Sequence, residues 1–150
     1  MIYIGSDHAG YELKEKLKIF LAELSYKVID KGAFKKNSDD DYPDFVIPVA
    51  ESVAQDLGSF GIVIGGSGQG EAMSANKIDG VRATEYYGGD PEIVKVSRLH
   101  NDANILSLGA RFVSEEEARE VVTLFLETKF SGEERHIRRL NEIKEEEINN

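Results

Sequence analysis

FGIVIGGSGQGEAMSANK, residues 60–77, is the stretch whose reading decides the fold. Phe60 to Ile64 is an apolar, β-branched run of strand length, and closely spaced glycines follow it. A short helix is expected to open near Gly70 and Glu71. A strand running through a glycine turn into a helix start exposes bare backbone N–H groups, and the helix dipole adds roughly half a positive charge there. Such a turn suits an anion, and Glu71 sets an acid in the same place, where a carboxylate can act as a base. Three familiar glycine motifs fail on spacing. A dinucleotide fingerprint needs glycine where Glu71 or Met73 stands, a phosphate-binding Walker loop needs lysine where Glu71 follows Gly70, and a nucleophile elbow around Ser67 needs glycine at Gln69. Two readings remain: a small anionic substrate held against backbone amides with Glu71 at its reacting carbons, or a tight turn that Glu71 merely caps.

Outward from this turn, strands and helices alternate. Before it lie a strand in Ile2–Ile4, a helix with Leu13, Leu17, Leu21 and Leu24 on one face, and a strand in 27–30. A polar loop then leads to a helix opened by Pro43 and carrying Val46, Val49, Val53 and Leu57, with Pro48 expected to distort its early turns. After it come a strand in 81–86, a helix with Asp90 as N-cap and Pro91 in first position running through Leu99, and a strand in 103–110. A helix opened by the Ser114/Glu117 capping box carries Val121, Val122, Phe125 and Leu126. Strands separated by crossover helices pair in parallel, so the fold class is α/β: a three-layer α/β/α, Rossmann-like five-stranded parallel sheet. Ligands bind such sheets at the carboxyl ends of the strands, which gathers the loops holding SDHAG (6–10), GGSGQGE (65–71) and GAR (109–111). An extra C-terminal helix, about Glu133 to Ile148, lies outside this rhythm. Its Ile137, Leu140, Ile143 and Ile148 need a surface, either a partner subunit or the chain's own body.

With 150 residues, 41% of them hydrophobic, one domain spanning 1–150 is expected. No cysteine is present, which excludes disulfides and thiolate metal sites and accords with a reducing cytoplasm. No apolar run is long enough to span a membrane, and no signal peptide precedes the first strand, so a cytoplasmic location is expected. A formal charge of -10 argues against nucleic acid. Any bound phosphate must therefore meet a local basic cluster. The acidic runs at 39–41, 115–117 and 145–147 read as solvated faces.

His8 stands at a strand end facing the ligand crevice, so a functional role is favoured. His100 ends a helix, where a cation is also favourable for its own sake. No two of the three histidines share a helical face and no zinc spacing appears, so no metal site is expected. Arg135 and Arg139 lie four apart on the final helix and point the same way, either to hold a phosphate or as a solvated face.

SDHAG at 6–10, DYP at 41–43, GGSGQGEAMSANK at 65–77, SRLHNDANILSLGAR at 97–111 and RHIRR at 135–139 together resemble the type B ribose-5-phosphate isomerases, of the RpiB/LacA/LacB sugar-phosphate isomerase family. The resemblance covers essentially the whole chain in order. It implies a single sugar-phosphate isomerase domain that interconverts a phosphorylated aldose and its ketose, ribose 5-phosphate and ribulose 5-phosphate in the pentose phosphate pathway, without metal or other cofactor. It also implies a homodimer or tetramer with its site at a subunit interface.

Carried over position by position, the resemblance makes Glu71 the base moving a proton between C2 and C1. Ser67 and the amides of the turn, with Gly66, Gly68 and Gly70, would line the enediolate. His100, with Asp7 nearby, would help open the sugar ring, while Tyr42 and Asn101 meet sugar hydroxyls. His8, Arg111, Arg135 and Arg139 would hold the phosphate. Some family members carry a cysteine base where this chain has Gly66, so the chain resembles the branch that uses the glutamate. Two alternatives stay open: an isomerase of a hexose 6-phosphate, galactose or allose type, and a non-catalytic phosphosugar sensor.

Overall fold

A computed structural model describes residues 1–149. Five strands, β1 (Ile2–Ser6), β2 (Val28–Asp30), β3 (Phe60–Gly65), β4 (Ala83–Tyr86) and β5 (Ile105–Gly109), form one sheet in the order β2-β1-β3-β5-β4. Every neighbouring pair is parallel, with Ser6 opposite Ile64 and Gly65 opposite Gly109. The expected α/β/α sandwich is therefore the observed one. The strand order reverses between β1 and β3, so the loops leaving those two strands flank the crevice where such sheets take ligands.

Period-two alternation assigns the two faces. Ile62 and Ile64 turn to one side, where they join Leu13, Leu17 and Leu21 of α1 (Tyr11–Glu23), Val94 of α4 (Glu92–Asn101) and Val121, Val122 and Phe125 of α5 (Glu115–Glu127). Val63 turns to the other side, against Val46, Val49 and Val53 of α2 (Pro43–Gln55) and Ala75 of α3 (Gln69–Ala75). Val dominates the α2/α3 face, with Ala50, Ala75 and Ile105, while Leu and Ile dominate the other beside Val94, Val121, Val122 and Phe125.

Local chemistry sets most boundaries. Ser114 and Glu117 form the full capping box, each side chain taking the other's backbone N–H. Asp90 accepts the Glu92 N–H, and α4 begins at Glu92 rather than Pro91. It also runs two residues beyond Leu99, where Asp102 caps it in the left-handed region. Two members of the expected apolar stripes are not in the core. Leu24 falls at the C-cap of α1, and Leu57, 94% exposed, lies past the end of α2. The two helices stop one and two residues before their stripes do. Pro48 leaves α2 unbroken: it stands near the helix start, and the carbonyl it leaves unbonded belongs to exposed Asp44.

The last helix, α6 (Glu134–Asn149), lies across the amino edge of the sheet. His136 packs beside His100 at the end of α4, and Glu147 takes the N–H of Gly80 just before β4. His136 is its one buried residue among those described. Ile137, Ile143 and Ile148 stay exposed, and a groove of about 520 Å³ runs between α6 and the Leu57–Phe60 segment. The chain's own body therefore covers little of the α6 stripe. No helix is long and apolar enough to cross a membrane among the described residues.

Candidate active site

The loops after β1, β3 and β5 interlock at the carboxyl edge. Ala110 and Arg111 donate their N–H groups to the carbonyls of Gly65 and Gly66, and the Ser107 hydroxyl donates to the carbonyl of Gly68 at 2.6 Å. Gly68 has φ of +80° and packs against the backbone of Leu108, so both its conformation and its surroundings require glycine. At Gly65 the reason is the acid itself: a Cβ there would stand 1.6 Å from Oε1 of Glu71. The Glu71 side chain thus folds back over the end of β3.

Glu71 is only 3% exposed. Burial pushes its carboxyl above the ordinary carboxylate range; the backbone N–H of Glu71 itself opposes the shift, the charge of Asp7 adds to it, and the Gly68 N–H again opposes it. Desolvation wins, the direction a base working near neutrality needs. The N–H groups of Gly68 and Glu71 that oppose the shift favour negative charge at this turn.

Asp7, buried at the end of β1, accepts the N–H groups of Ala9 and Gly10 through Oδ1, which fixes the turn into α1. His8 is held by Asp40, whose Oδ1 takes both the backbone N–H at 3.0 Å and ring Nδ1 at 2.7 Å. The Asp40 side chain is only 8% exposed, so the acidic run at 39–41 is not a uniformly solvated face: its middle member clamps a histidine. Ligand atoms of Asp7, His8 and Asp40 lie within 4.8 Å of one another. Each carboxylate already engages two N–H groups through one oxygen, so the trio reads as a hydrogen-bonded clamp. The ring of Tyr42 lies over Gly70, 2.6 Å from where a Cβ would stand, and the Arg111 guanidinium lies beside Gly66. Asp7, His8, Tyr42, Gly66, Ser67, Gly68, Gly70, Glu71 and Arg111 therefore share the carboxyl edge.

His100, Asn101, Arg135 and Arg139 do not join them within one chain. Helix α4 runs back across the sheet, so its last residues stand at the amino edge, where β5 begins. A strand the length of β5 separates the two edges by about 16 Å. The expected neighbourhood of His100 and Asp7 is absent inside the chain, as is a single phosphate cluster of His8, Arg111, Arg135 and Arg139. Arg135 instead pairs with Glu133 at 2.9 Å.

A family model described as Ribose/Galactose Isomerase matches residues 2–143. The chain belongs to the ribose/galactose isomerase family. Ribose-5-phosphate isomerase B of Mycobacterium tuberculosis is 40% identical over 146 residues, 97% of this chain and 89% of that protein. Among solved structures, this family member superposes with a TM-score of 0.94 on the ribose-5-phosphate isomerase B of Mycoplasma genitalium with bound ribulose-5-phosphate, at 37% identity, covering 99% of this chain and 97% of that one. The Clostridium thermocellum enzyme gives 0.92 at 43% identity, with 99% and 97% covered.

Three residues at or behind the two edges escaped the sequence reading. Asp40 looked like one of three loop acids, and nothing local marks it as the partner of His8. Arg98 is buried, donating to the carbonyls of Thr128 and Ala103 and to Asp102 while its guanidinium lies over Phe60 and Phe125. It anchors the turn that carries His100. His136 stands between Arg135 and Arg139, and nothing local marks it as the neighbour of His100.

Proposed function

We propose that the chain is an aldose–ketose isomerase interconverting ribose 5-phosphate and ribulose 5-phosphate through an enediolate, with Glu71 as base. The observation that carries this reading is the buried Glu71 carboxyl, raised above its ordinary range and lying on a glycine turn rich in backbone N–H groups. In the open-chain aldose, Glu71 takes the proton from C2, and the electrons of that bond move through C1 onto the carbonyl oxygen. The proton of the C2 hydroxyl passes to O1, and Glu71 returns its proton to C1, leaving a ketone at C2. Charge on the enediolate oxygens meets the turn amides and Ser67, where each oxyanion donor typically contributes about 3 to 4 kcal/mol to the barrier reduction.

His100 opens the sugar ring, Tyr42 and Asn101 meet the hydroxyls, and His8, Arg111, Arg135 and Arg139 hold the phosphate. Because these groups divide between two edges of one chain, the complete site takes the Glu71 edge from one subunit and the His100 edge from its partner in a homodimer. The exposed apolar residues of α6, at that same edge, support such pairing. The whole chain acts as one isomerase domain in the cytoplasm, with no cofactor.

Purified protein offered ribose 5-phosphate and hexose 6-phosphates in parallel tests this. Ketose should form from the pentose at least about ten-fold faster, as expected where an extra carbon displaces the reacting atoms. Ribulose 5-phosphate in deuterium oxide should exchange a C1 proton. Faster turnover of a galactose or allose 6-phosphate would reassign the substrate, and binding without exchange would make the chain a sensor.

A further inference from the structure

The amino edge holds a buried titratable side chain for which the proton-transfer scheme has no use. His136, 3% exposed, has its ring centroid 4.5 Å from that of His100, with the planes inclined by 35°. Its Nδ1 meets the Ser131 hydroxyl at 2.9 Å. That hydroxyl accepts the Glu133 N–H at 3.3 Å and has its own proton free for Nδ1. The segment carrying it is tied to α4 in turn, since the Ser131 N–H donates to the carbonyl of Leu99. His136 is thus immobilised from two sides, whereas His100 is exposed on the last turn of α4.

We propose that His136 is a positioning residue for His100, a buried imidazole floor on which the exposed ring rests in one orientation. An exposed histidine ring rotates freely about its last torsion, and only some orientations aim a ring nitrogen at a sugar hydroxyl. A flat, fixed neighbour removes most of those orientations before substrate arrives. The floor must stay uncharged, because an imidazolium there would repel a protonated His100. Burial first, with His100, Arg135 and Arg139 adding to it and Glu133 opposing, thus disfavours charge on this ring. The inference rests on the reading of His100 as the ring-opening group.

Ring opening is needed for ribose 5-phosphate but not for ribulose 5-phosphate, which has no free C5 hydroxyl with which to close a ring. Turnover of the aldose therefore reads His100 and Glu71 together, whereas exchange of the ketose C1 proton in deuterium oxide reads Glu71 alone. His136→Ala and the space-filling His136→Leu are expected to lower kcat for ribose 5-phosphate by roughly ten-fold or more, the scale set by misplacing a catalytic group, with ketose exchange within about two-fold of wild type. His136→Phe keeps a flat ring and should restore most of the loss. His100→Ala should show the same selectivity, and adding His136→Ala to it should cost nothing more.

Loss of both reactions in parallel, or of neither, in the His136 variants while His100→Ala remains selective would overturn the positioning role and leave ring opening by His100 intact. A His100→Ala variant without selectivity would overturn the ring-opening reading and this inference with it. Should the small variants fail to fold, proton NMR of the wild type and of His136→Phe still decides. Stacked His100 ring protons shift upfield in both, and random-coil positions in the wild type would overturn the proposal.

Discussion

Glu71 is an acid whose burial and chemistry pull the same way. Its carboxyl is raised, so the folded chain binds a proton more tightly there than the unfolded chain does. The stability linked to this group is fully present below the unfolded value and is lost as pH rises through the folded value. Glu71→Gln removes that loss. Thermal melts from pH 4 to pH 8 should show the variant gaining on the wild type as pH rises, and equal melting differences at both ends would mean that burial does not perturb the group. The same variant should bind phosphosugar yet turn over at least about 100-fold more slowly, the usual contribution of a general base; more than about a tenth of wild-type kcat would remove Glu71 from that role. Arg135→Ala and Arg139→Ala should each raise KM for ribose 5-phosphate, with kcat falling too if the phosphate grip also aligns the reacting carbons. An unchanged KM in both would leave them as surface charges.

At the scale of elements, the turn from α4 into β5 depends on one guanidinium. Arg98 satisfies two carbonyls and Asp102 from a nearly sealed position, and lysine reproduces neither the fork of donors nor the flat stacking on Phe60 and Phe125. Arg98→Met leaves those carbonyls without their donor and should destabilise the fold by about 2 to 3 kcal/mol, the scale of leaving buried polar groups unsatisfied. Urea unfolding measures it, and a loss under about 1 kcal/mol would mean that water replaces the guanidinium without penalty. Arg98→Lys should fall between. The α3 turn is rigid for a different reason: Ser107 and Gly109 of β5 seal its inner side, so the amides near Glu71 are held by the sheet rather than by their own short helix.

For the whole molecule, the separation of the two edges makes a sharp expectation about mixed dimers. Glu71→Gln and His100→Ala homodimers should both be severely impaired. Co-refolding equal amounts makes about half of the dimers mixed, each with one doubly damaged and one intact site, so about a quarter of wild-type activity should return. Arg139→Ala belongs to the amino edge and should complement Glu71→Gln in the same way. His8→Ala belongs to the carboxyl edge and should not. Activity of each mixture, with chain exchange verified by differently tagged subunits, checks the pattern. Verified mixed dimers with no recovery would mean that each site comes from a single chain.

Much of this molecule is decided by interactions within a few residues. The apolar run Phe60 to Ile64, the Ser114/Glu117 box and the Leu13, Leu17, Leu21 stripe act over one strand or a few helical turns, so the α/β/α order and the glycine turn carrying Glu71 are legible in the chain itself. The misplaced Leu24 and Leu57 lie at helix ends, where apolar periodicity continues after backbone hydrogen bonding has stopped. Contacts between distant segments are different, because parallel crossovers bring together residues with no local mark of their partnership. Only the tertiary structure puts Asp40 on His8, Arg98 beneath the His100 turn and His136 against His100. It alone divides the candidate residues between two edges, because α4 must run back across the sheet to start β5 in parallel. The raised basicity of Glu71 also belongs to the fold, since it comes from burial of the carboxyl and, secondarily, from the charge of Asp7, which is distant in sequence.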